Sequence, residues 1–135
     1  MTEIDSFSQC IDNIENAYEF MLIYAARGLD EEADNESPSI RDLLKSLSES
    51  LENINSVAIK RIETLSTKET KYLINFLEVL YEDANKAKIS VDLILSSPLI
   101  SSQLVDNLNS SIHLRALLTS LFIIDEAIHS FNKIK

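Results

Sequence analysis

The sequence predicts an all-α fold, an antiparallel up-down-up-down four-helix bundle, on three observations. The 135 residues hold one glycine and two prolines, too few for an all-β chain, which needs turn residues about every ten positions. Apolar residues recur at the three-four spacing that lines one side of a helix. Serine-led helix starts divide the chain into four such stretches with short connections, and short connections make consecutive helices antiparallel neighbours.

The first helix is read from Ser6 to Arg27. Phe7, Cys10, Ile11, Ile14, Ala17, Tyr18, Met21 and Ala25 share one face, as 3.6 residues per turn requires. Asp5 or Ser6 supplies the N-cap, and Gly28 suits the left-handed position that ends many helices. The charged stretch LDEEADNES follows and is expected to be a flexible acidic loop, about residues 29–37. The second helix opens at SPSIRD, with Ser37 as cap and Pro38 at the first helical position, and carries a narrow stripe from Ile40 to about Leu65. STKE at 66–69 reads as a capping box for the third helix, whose stripe runs from Leu73 to Ile94.

The fourth helix is expected to start at SSPL, residues 96–99, by the serine–proline device of the second. NLNSS has poor helix propensity, which predicts a bend near Asn109. Beyond it, LRALLTSLFIIDEAI is apolar almost all the way round. A helix of that kind is buried on several sides. In a four-helix bundle every helix keeps an outer side, so this one is expected to face a second subunit.

Apolar residues make up 45% of the chain and charged residues 25%, the composition of one globular domain over residues 1–135. A single cysteine excludes an internal disulfide framework and favours a reducing, cytoplasmic setting. The first residues do not read as a signal peptide, and no apolar run is long enough for a membrane span. The net charge of −10 is uneven: residues 1–36 hold ten acids and one base. That field disfavours nucleic acid and would suit a basic protein surface.

Catalytic chemistry finds no footing. No glycine-rich loop exists to hold a phosphate, and Cys10 sits on the apolar face of its helix. The expectation is therefore a non-enzyme without a cofactor: a small interaction protein, such as an adaptor, assembly factor or regulatory subunit, that forms a homodimer. Its interface is expected at Phe20, Ile23, Leu117, Leu121, Phe122, Ile124 and Ile128. Phe20 and Ile23 earn their place because they follow Glu19, the last acid of a polar stripe with Asp12 and Glu15. A polar group at Asp106, His113 and Arg115 interrupts the most apolar helix and is a second candidate site, for an anionic ligand or carboxylate. Two alternatives remain. EAIH provides one Glu-x-x-His element of a di-iron bundle, so Glu19, Glu78, Glu82, Glu126 and His129 form a metal-binding alternative. The acidic residues 1–36 could instead make the protein an inhibitor or mimic that covers a basic partner.

Overall fold

The computed structural model describes the backbone of residues 3–33, 36–65 and 70–133, with side chains between residues 6 and 131 of those spans. These contain five α-helices and no strand: α1 Glu3–Ala26, α2 Ile40–Glu63, α3 Thr70–Leu95, α4 Ser102–Asn109 and α5 Ile112–Lys133. The helix α1 packs along α2, α2 along α3, and α3 along α5, while the short α4 lies against α1. One apolar cluster draws side chains from all five, among them Ile14, Ile54, Leu80, Val105 and Leu117.

Local signals explain most helix ends. Gly28 takes φ +66° just beyond α1, a conformation that costs a residue with a Cβ about 1 kcal/mol or more. At its other end α1 begins at Glu3, ahead of the Asp5 or Ser6 cap that the sequence suggested. The cap of α2 is Ser39, not Ser37: its hydroxyl accepts from the Asp42 amide, and the Asp42 carboxylate accepts from the Ser39 amide. Ser37 could not form that reciprocal box, because the residue three beyond it is Ile40. The capping box at 66–69 lies outside the described residues.

The expected fourth helix is two helices. Ser110 and Ser111 break it immediately after Asn109, close to where poor propensity placed a bend. Its start is also later than the serine–proline signal suggested. Ser101 caps α4 by accepting from the Leu104 amide, and residues 96–101 are non-helical. Tertiary hydrogen bonds hold that connection open. The Ile100 amide donates to Glu32 at 2.8 Å, the Ile100 carbonyl accepts from the Tyr24 hydroxyl at 2.6 Å, and the Ser102 amide donates to the Leu29 carbonyl at 2.8 Å.

Arg41 ties these pieces together. From the first turn of α2 its guanidinium donates to the Leu95, Ser97 and Pro98 carbonyls at 3.0, 2.9 and 3.1 Å, and to the Glu32 carboxylate. Those carbonyls belong to the end of α3 and the turn beyond it, where no intrahelical donor remains. The other Glu32 oxygen takes the Ile100 amide. Ser102 completes the knot: its hydroxyl donates to the Tyr24 carbonyl and accepts from the Leu29 amide. Glu36 pairs with Arg27. The acidic segment expected to be a free loop is therefore anchored through Glu32 and Glu36. Tyr24 is 1% exposed, its hydroxyl buried against the Ile100 carbonyl.

Between the long helices, Ser48 of α2 donates to Asp92 of α3, which also accepts from Lys88. Ser120 of α5 donates to Asp83 of α3. Cys10 behaves as the core residue that its stripe implied, with its thiol donating to the Ser50 carbonyl at 3.3 Å. Burial pushes that thiol up to about 11, and the hydrogen bond to Ser50 offsets only part of the rise. It is an unreactive thiol.

Three outcomes follow for the knot. Arg41→Met removes a charged donor from three carbonyls and a carboxylate, and should cost about 2–3 kcal/mol in urea unfolding. Burial raises the Glu32 carboxyl, but donation from the Ile100 and Glu32 amides and from Arg41 outweighs it and holds the group below its ordinary value. A depressed folded-state value means that ionised Glu32 stabilises the fold. That contribution is complete above the ordinary value of 4.5 and is lost as pH falls through the folded value. Glu32→Gln should lower stability at pH 7 and flatten the acid limb of a stability-against-pH curve. Separately, Ser102→Ala should cost about 1–3 kcal/mol, because it leaves the Leu29 amide without its partner, while the Tyr24 carbonyl keeps the Arg27 amide at 3.1 Å.

Candidate functional site

The helices α1 and α5 do not pack as closely as α1 with α2, α2 with α3 or α3 with α5, and a groove lies between them. The α1 face beside this seam repeats at the helical period, with Glu15, Tyr18, Glu19 and Leu22 in one row. Arg115, Leu118, Thr119 and Phe122 of α5 repeat the same spacing opposite. Together they line a groove of about 430 Å³. Leu118 is buried, whereas Leu22 is exposed and Phe122 is 54% exposed. Ile23, 64% exposed, and Ile123 are the next residues of the two helices and are exposed without lining the groove.

The seam is acidic as well as apolar. Burial raises the Glu15 carboxyl, and the neighbouring charges of Asp12, Asp125 and Glu19 raise it further. The stripe thus runs beside α5 with Asp12 and Glu19 exposed and Glu15 half-buried, and Glu15, Glu19 and Tyr18 share the groove. Among the described residues Arg115 forms no ion pair, although it lines the same groove.

The expected interface residues divide into two groups. Ile23 and Phe122 are exposed, and Phe20 is half-buried against the core. Leu117, Leu121, Ile124 and Ile128 are at most 2% exposed and lie in the chain's own core, so they have no area left for a partner. The apolar excess that suggested a subunit face is mostly absorbed inside the chain. Leu114, Leu117, Leu121, Ile124 and Ile128 form an ordinary inward stripe, and only Ile112, Phe122 and Ile123 are left outside.

The other two constellations do not assemble. Asp106, on α4, and His113 and Arg115, on α5, are all exposed, and only Arg115 lines the seam. Of the metal alternative, Glu19 lies in the α1/α5 seam and Glu78 and Glu82 line a groove between α2 and α3. Glu126 and His129 are exposed on α5. Among the described residues no group of three or more histidine, cysteine or acidic side chains converges. The metal reading required that convergence, and the side chains point to different faces.

Arg41, Tyr24 and Ser102 organise one end of the molecule and carried no sequence signal of that role. The one available hint was position: Arg41 is the first base after the acidic stretch. No helix among the described residues is long and apolar enough to cross a membrane. Scans of protein-family models, of curated proteins and of solved structures each return no match for the chain.

Because its carboxyl is raised, ionised Glu15 opposes folding. A raised acid in the folded state means that stability falls as pH rises from the ordinary glutamate value through the folded one. Glu15→Gln should therefore raise the melting temperature at pH 7, and the gain should vanish below pH 4.5. Thermal melts at the two pH values check this.

Proposed function

We propose that this chain is a small acidic helical interaction protein, an adaptor, assembly factor or regulatory subunit, that self-associates as a homodimer through the α1/α5 seam. The observation that carries the reading is the exposed Leu22 and Phe122 in a groove that the helices leave unfilled, each followed in sequence by an exposed isoleucine, Ile23 and Ile123. Contiguous exposed apolar area of that kind marks an interaction site on a soluble domain. In a two-fold pair the same patch meets itself. Arg115, which forms no ion pair among the described residues, then has acidic side chains of the second copy within reach. Tyr18 and Phe122 supply the aromatic anchors that dominate such interfaces.

The four long helices suit an up-and-down arrangement, with α4 as the offset first piece of the last member; the packing order α1–α2–α3–α5 supports it. A binding role needs no cofactor, and the lone buried thiol suits a reducing cytoplasm.

The test is light scattering coupled to size exclusion, on the full chain. Wild type should elute as a dimer whose population depends on concentration. Phe122→Ser with Ile23→Ser should give a monomer with unchanged helix content and a melting temperature that no longer varies with protein concentration. A wild-type monomer across the accessible concentration range would sink the self-association reading.

A further inference from the structure

A second groove lies between α2 and α3, on a different pair of helices from the proposed dimer seam, so it stands or falls independently. It is larger, about 830 Å³, and runs along Asn55 to Glu63 of α2 and Thr70 to Glu82 of α3. Its floor is apolar, built on Ile62, Leu65 and Leu77 of the core. Its walls are apolar side chains left in water: Ile59, Ile74 at 53% exposure and Tyr81 at 57%. Charge of one sign stands along it. Glu63, Glu78 and Glu82 line the groove, and no lysine or arginine is among its described lining residues. Lys71 stacks instead near the Tyr72 ring, 5.0 Å from its centroid. Asn55 stands at one end, its side-chain oxygen buried with no hydrogen-bond partner among the described residues.

We propose that the α2/α3 groove docks an amphipathic basic helix of a partner protein, its apolar face on Ile59, Ile74 and Tyr81 and its lysines or arginines against Glu63, Glu78 and Glu82. Length and backbone chemistry select a helix. The α3 stretch from Thr70 to Glu82 spans about 18 Å, room for about three turns. An extended peptide would need backbone partners that two flanking helices do not offer, whereas a helix satisfies its own amides and carbonyls. Charge selects a basic one, because an acidic or neutral helix would bury three carboxylates without compensation. The acidity that this groove offers a basic partner is on α2 and α3. In the N-terminal quarter, Glu32 and Glu36 are already engaged by Arg41 and Arg27.

The experiment is fluorescence anisotropy on the full chain, with a labelled amphipathic helical peptide of leucine and lysine about four turns long. A leucine and glutamate peptide of the same pattern is the comparison. The basic peptide should saturate a single site and weaken as salt is raised, and the acidic one should not bind. Glu78→Lys with Glu82→Lys should weaken the basic peptide about tenfold or more. Glu49→Lys with Asp106→Lys, an equal change of net charge elsewhere, should weaken it by much less. Circular dichroism melts establish that each variant is folded. Amide exchange supplies a readout that needs no variant: the peptide should protect 55–63 and 70–82 selectively. Equal loss in the two charge-reversed proteins, equal binding of the acidic peptide, or protection on α1 and α5 instead would overturn the proposal. So would a dimer that Glu78→Lys with Glu82→Lys dissociates, since the groove would then hold a second copy.

Discussion

The guanidinium of Arg41 meets three carbonyls and a carboxylate that the helices cannot satisfy themselves, and the arrangement of the last third of the chain depends on it. An α-helix ends with carbonyls that lack donors. At the end of α3 a side chain from α2 supplies those donors instead of a continued turn. Glu32 balances the arginine's charge and with its second oxygen takes the Ile100 amide. The acidic segment is thereby a strap between the end of α1 and the start of α4, and its anchored acids are not free to meet a partner.

That geometry explains where the surplus apolar surface is. With the strap in place, Ser101 caps α4 against α1, and Asn109 donates to the Met21 carbonyl at 3.1 Å. The two residues that follow interrupt the helix, and α5 leaves on a new axis against α3. The chain closes α1 against α4 over a short length and leaves the rest of α1 open toward α5. A single continuous fourth helix could have covered both. The α1/α5 seam is thus a consequence of the break after Asn109, where the NLNSS stretch has poor helix propensity.

Features set by neighbours in sequence were legible in it. The all-helical class, the α1 terminus at Gly28, the inward stripes and the interruption after Asn109 are all products of local propensity and period. The knot was not, because Arg41 reaches residues more than fifty positions away, and no periodicity encodes that. Tyr24 is one of four tyrosines, and only the distant Ile100 carbonyl gives its hydroxyl a buried partner. Phe122 and Leu121 are equally apolar in sequence, and only the direction in which α5 leaves the break decides that one is core and the other surface. The serine–proline starts misled by a few residues at both places. The cap is chosen by which serine has a reciprocal partner, or by a tertiary bond that holds the preceding backbone extended.

The most direct measurement of the account is native-state hydrogen exchange at the amides of Leu29, Ile100 and Ser102, none of which is satisfied within a helix. If the strap and Arg41 hold the molecule together, these three amides exchange as slowly at neutral pH as those of the central turns of α2 and α3. They should also gain the same dependence on denaturant, through global unfolding alone. Fast exchange at these amides, with α2 and α3 still protected, would contradict it.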